Sequence, residues 1–120
     1  MENSEFEKYV EGALISLPKE FAEKLDNLNV VVADWPTPTQ HRGKRGLLLG
    51  LYEGIPATRR GNRYGIGGAI PDKITIFKIP ILMISKTRED IKKNIRDTVI
   101  HEIAHHFGLD EDAIRAKTGR

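Results

Sequence analysis

The chain has 120 residues, 39% hydrophobic and 30% charged, with a formal net charge of +2 and no cysteine. That suits one domain, residues 1–120, with a modest core. It excludes a disulfide framework and thiolate metal sites, and gives no bulk electrostatic reason to expect nucleic acid or an anionic membrane. The acidic start, MENSEFEKYV, lacks the basic and apolar regions of a signal peptide, and no apolar run approaches the ~20 residues of a membrane span. A cytoplasmic protein is expected.

In chain order, Phe6, Val10, Ala13, Leu14 and Leu17 recur at helical spacing and predict a first helix. Pro18 suits the first turn of a second helix, with Phe21, Ala22 and Leu25 as its apolar stripe. Residues 29–34, NVVVAD, read as a buried strand ended by the prolines of WPTPT. A polar loop, QHRGKRG, leads into LLLGLY, a second strand, and residues 53–71 form a long glycine-rich basic loop. DKITIFKIPIL alternates Ile74, Ile76 and Ile79 with Lys73, Thr75 and Lys78, predicting a half-exposed strand, with Pro80 at an edge or a strand end. Thr87 and Asp90 resemble a capping box, so the third main helix runs over about 88–107, with Gly108 as its stop. DEDAIRAKTGR can form a short last helix. This order predicts an α+β domain with a small mixed sheet.

The third helix carries three of the four histidines. At about 100° per residue from Ile91, the residues Ile95, Val99, Ile103 and Phe107 fall at about 40°, 80°, 120° and 160°, and Ile100 and Ala104 widen the arc to about 220°. The helix is therefore expected to be largely buried. Asp97, His101, Asn94, His105 and Thr98 share the remaining strip, and Glu102 leans in from its edge. His106 falls inside the apolar arc and reads as a core or partly buried histidine.

Two imidazoles four residues apart can reach one Zn²⁺, and a carboxylate beside the first can take a proton from water as a general base. His101, His105 and Glu102 occupy those places. A third ligand must come from beyond the helix: Gly108 lets the chain turn, and Glu111 can swing back, with Asp110 and Asp112 as alternatives. Asp110 also reads as the N-cap of the last helix, with Glu111 and Asp112 complementing its dipole.

The resulting pattern, H-E-x-x-H-x-x-G-x-x-E, together with GLYEGIP and PDKITIFKIPIL upstream, resembles the minimal zincins, a small bacterial and archaeal family of zinc metallopeptidases. The resemblance covers residues 5–115. It implies a minimal zincin-like α+β fold with the motif helix packed on a small mixed sheet. It also implies zinc held by His101, His105 and the residue at Glu111's position, with Glu102 as the general base of peptide-bond hydrolysis. In such folds an extended peptide or protein substrate pairs with the sheet's edge strand, for which ITIFKI or LLLGLY would serve. Tyr64 and Tyr52 are candidates for stabilising an oxyanion.

Residues 41–65 carry six Arg or Lys against one acid, Glu53. They read first as solvated loops, so nucleic acid is not the expected partner, and His41 reads as an exposed loop residue. The alternative is a non-enzymatic module that binds nucleic acid or protein through this region, with a structural or vestigial metal site.

Overall fold

Three strands form a mixed sheet: β1 (Leu28–Ala33), β2 (Gly50–Glu53) and β3 (Asp72–Phe77). The computed structural model describes residues 1–23, 28–54, 72–108 and 110–117. β3 lies in the centre, parallel to β1 with Val30 opposite Ile74, and antiparallel to β2 with Tyr52 opposite Ile74. The expectation of a half-exposed β3 is overturned. Ile74 and Ile76 are fully buried on one face, and Thr75 and Phe77 are buried on the other. ITIFKI is thus not an edge strand. β1, expected to be buried, is an edge strand with mostly half-buried residues.

The predicted strand also ends earlier than its apolar pattern suggests. Lys78 opens a short helix, α4 (Lys78–Met83), and Pro80 sits in its first turn, where the missing N–H breaks no helical hydrogen bond. The remaining helices among the described residues are α1 (Asn3–Ile15), α2 (Lys19–Ala22), α3 (Pro38–His41), α5 (Arg88–Phe107) and α6 (Glu111–Lys117). α2 starts after Pro18 as expected, but its Ala22 is exposed rather than part of an apolar stripe, and Leu25 lies outside the described residues. His41 ends α3 instead of lying in a loop. It is half-buried, and its Nε2–H donates to the Gly46 carbonyl at 2.8 Å.

The long helix α5 follows its sequence signals closely. The Thr87 side chain accepts from the Asp90 N–H, and the Asp90 carboxylate accepts from the Thr87 N–H. The N–H of Lys86 also donates to Asp90. These backbone donors, Lys86 first and Thr87 next, hold the Asp90 carboxyl below the ordinary aspartate range. At the other end Gly108 adopts φ 66°, a left-handed conformation that closes the helix and that other residues adopt at a cost.

One buried cluster joins Phe6, Val10, Ala13 and Leu17 to Ile74, Ile76 and Ile81 and to the apolar arc of α5. Ile95, Val99, Ile100 and Ile103 are at most 1% exposed, so shortening one of these isoleucines to Ala should cost about 2–5 kcal/mol. α1 and α5 also meet at the surface, where Arg88 pairs with Glu5 and donates to the Tyr9 hydroxyl. Lys78 Nζ donates to Asn3 Oδ1 at 2.7 Å, tying the start of α4 to the start of α1. Among the described residues no helix is long and apolar enough to cross a membrane.

Candidate active site

The site is built where α5 runs along β2, the edge strand on the other side of β3 from β1. Phe77 N–H donates to the Leu49 carbonyl at 2.9 Å. Alternation then turns the backbone groups of Leu51 and Glu53 toward β3 as well, and those of Gly50 and Tyr52 away from it. β2 and α5 run in the same direction and touch at a regular interval. Gly50 meets Thr98, Tyr52 meets Glu102, and Gly54, just past the strand, meets His106. Two strand residues are matched to four helix residues at each step.

The outer contacts of this series are possible only because both strand residues are glycine. A Cβ on Gly50 would lie 2.6 Å from Thr98 Cγ2 and 3.2 Å from the Thr75 carbonyl oxygen. On Gly54 it would lie 2.7 Å from His106 Cε1. Real Cβ atoms do not approach so closely, so GLYEG is a sequence that admits a helix against a sheet edge. Thr98, expected in the polar strip, is consequently buried, and its hydroxyl donates to the Asn94 carbonyl at 2.7 Å.

The central contact brings in a carboxylate. Tyr52 N–H donates to Glu102 Oε1 at 3.0 Å, so the carboxylate of Glu102 is held against the backbone of the edge strand. His101 and His105 lie on successive turns beside it, both exposed, with ring planes 17° from parallel and centroids 6.4 Å apart. A metal–nitrogen bond of about 2.0–2.1 Å would put each ring centroid roughly 3 Å from a shared ion. The two imidazoles are therefore within reach of one ion, and tetrahedral coordination would draw them about 1 Å closer. Imidazole suits zinc chemically.

His106 is not the core residue that its position on the helix suggests. It is exposed, and its ring stacks on Tyr52 at 3.8 Å and 13°. Phe107 meets the same tyrosine edge-on at 5.8 Å, and the Tyr52 hydroxyl donates to Asp72 Oδ2 at 2.8 Å. These contacts fix the tyrosine whose N–H holds Glu102. Its role as a support for the Glu102 carboxylate was not read from the sequence, although the glycines on either side of Tyr52 are a signal of close helix approach.

Of the three alternatives for a third ligand, Asp110 is engaged as a cap, with Oδ1 accepting the Asp112 N–H at 2.9 Å. Asp112 is exposed. Glu111 is the first residue of α6, and its side chain lies outside the described part of the structure. Among the described residues, no three His, Cys, Asp or Glu side chains converge on one metal position. Of the basic stretch, Arg42, Lys44 and Arg45 are exposed, whereas residues 55–65, with Arg59, Arg60, Arg63 and Tyr64, lie outside the described residues.

Two adjoining open cavities follow the segment 47–52, of about 450 Å³ and about 400 Å³, and His101, Glu102, Leu48 and Gly50 line both. His105, His106 and Lys44 line the second. The site is thus a groove between edge strand and helix, with the imidazoles and carboxylate at its middle.

Comparison with known proteins agrees with this architecture. No curated protein matches the chain. A conserved hypothetical protein from Thermo thermophilus has a similar structure, with a TM-score of 0.59 and 23% identity over 89% of this chain and 94% of that one. The likeness supports the α+β fold. The model of the zincin-like metallopeptidases matches residues 25–120, and the chain belongs to that family.

Proposed function

We propose that the protein is a zinc-dependent metallopeptidase in which His101, His105 and Glu111 hold the metal and Glu102 is the general base. The observation that carries this reading is the pinning of Glu102 Oε1 by the Tyr52 N–H, beside two imidazoles that open into the same groove. Bound zinc would supply Lewis acidity and lower the pKa of a water to about 7. The chain's own part is then positional. Glu102 uses Oε1 to accept from Tyr52, which leaves Oε2 to take the proton from water and return it to the departing amine. A peptide bound along the edge of β2 would lie in the groove that the Glu102 carboxylate lines. Tyr52 is a poor candidate for stabilising an oxyanion, because its hydroxyl donates to Asp72.

Two measurements test the proposal. Elemental analysis of protein purified without added metal should find about one zinc per chain, lost on replacing His101 or His105 by Ala. Digestion of a peptide library should show cleavage that Glu102→Gln lowers by about 10²–10⁴, the usual worth of a general base. Zinc without Glu102-dependent cleavage would leave a metal-binding protein rather than a peptidase.

A further inference from the structure

Away from the groove, an open cavity of about 290 Å³ lies between α1 and α5. Lys8 from α1 and Lys92 and Arg96 from α5 line it. At about 100° per residue, Lys92 and Arg96 stand roughly 140–180° around α5 from His101 and His105. Among the described residues no acid lines this cavity. Glu7 and Glu11, the acids nearest to Lys8 in the chain, line a different one, against β1. Lys8 and Arg96 enter no ion pair among the described residues. Lys92 meets Glu89 at 3.7 Å, an exposed pair one turn apart and therefore weak, and its Nζ lies 5.2 Å from the centre of the Tyr9 ring.

The α1 side of the cavity holds a glycine that the fold does not need. Gly12 lies inside α1, where glycine costs stability relative to alanine. Its φ is not positive, and a Cβ on it would meet nothing within 4 Å. Neither the backbone nor the packing therefore requires it. Together with Ala13, it keeps space open beside three cations. We infer that the cavity binds a phosphomonoester, with the phosphoryl dianion shared by Lys8, Lys92 and Arg96 and the organic part seated against Gly12 and Ala13. Arginine's planar fork matches phosphate oxygens, and the two ammonium groups add the point charge that a dianion needs. The volume is close to the ~300 Å³ at which small-ligand pockets begin, so it has room for more than a bare phosphate ion. Such a site does not depend on the peptidase reading.

The test is an NMR titration of the full ¹⁵N-labelled chain with phenyl phosphate and with inorganic phosphate. Phenyl phosphate should bind more tightly than inorganic phosphate, with the largest amide shifts in residues 8–16 and 92–96. Arg96→Gln should weaken its binding about tenfold, the effect expected of one charge-assisted hydrogen bond. If that variant unfolds, Gly12→Leu keeps every charge and fills the cavity. It should abolish binding while the urea midpoint holds or rises, because leucine favours a helix more than glycine does. Binding that Gly12→Leu leaves intact would reduce the site to diffuse surface charge and overturn the inference. Absence of binding by the unmodified chain, or shifts confined to the groove of His101 and His105, would overturn it as well. Equal affinities for the two probes would overturn the phosphomonoester in favour of free phosphate.

Discussion

Gly50→Ala isolates the packing of α5 on the edge strand. The added Cβ would sit 2.6 Å from Thr98 Cγ2 and 3.2 Å from a backbone oxygen of the central strand. Thr98 is buried and β-branched, and its hydroxyl is bonded to the Asn94 carbonyl, so it cannot swing away without losing that bond. Forcing a methyl group into such a contact costs about 1–3 kcal/mol. Against it, removing glycine from a strand returns about 0.5–1 kcal/mol by restricting the unfolded chain. The clash wins, and urea denaturation should show a net loss of about 1–2 kcal/mol. Thr98→Ser deletes the offending Cγ2 and keeps the hydroxyl. By itself it should cost about 0.5–1.5 kcal/mol for the missing methyl. In the Gly50→Ala background it should cost nothing or stabilise, giving a coupling of about 1 kcal/mol or more in the double-mutant cycle. Additive effects of the two substitutions, or a Gly50→Ala chain as stable as the parent, would refute the idea that this glycine exists to admit the helix.

Three further outcomes follow from the same geometry. Gly54→Ala should push the His106 ring off Tyr52, seen in NMR as loss of the ring-current shifts on both side chains, at a cost of about 1–2 kcal/mol in denaturation. Tyr52→Phe removes the hydroxyl that donates to Asp72 and should lower stability by about 1–3 kcal/mol in thermal or urea unfolding, without changing the backbone N–H that holds Glu102. Asp90 has a folded-state pKa below its unfolded one, so its contribution is present above the ordinary aspartate pKa and lost as pH falls through the lower folded value. Asp90→Asn should therefore flatten the acid side of the stability profile, measured by urea titration at a series of pH values, and leave its slope near neutrality unchanged.

Legibility in the sequence followed the range of the interaction. Both ends of α5 are set by residues within four positions of each other, Thr87 with Asp90 and Gly108 with the turn before it, and both were readable. The same rule makes α3 readable in retrospect. Thr37, Pro38 and Gln40 form a full capping box with proline in the first turn, hidden inside a stretch whose prolines were read only as the end of a strand. The centrality of β3 was not readable. A polar residue at every second position looks the same whether its face is open, as expected, or covered, as Thr75 is. For His106, the helical wheel gives direction only. It could not show that His106, at this end of α5, meets the ring of Tyr52 and stays exposed. The histidine pair was legible because four residues of helix fix its spacing without help from the rest of the chain.

The match between strand and helix explains why the carboxylate, rather than either neighbour, is the group held to the edge. Two residues of strand advance about 6.4–6.8 Å and four residues of helix about 6.0 Å, so each step of the series slips by roughly 0.4–0.8 Å. Three contacts tolerate this if the middle one is in register and the slip is shared between the ends. The middle contact is the one with a hydrogen bond to satisfy, Tyr52 N–H to Glu102, and the ends are the two glycines, where close approach needs only space. His101 and His105 sit one position before Glu102 and His106 on the helix, turned by about 100° out of the packed face and into the groove. The placement of the proposed base relative to both imidazoles therefore depends on how α5 seats on β2. Substitutions at Gly50 or Gly54 should disturb the chemistry without touching a reacting group.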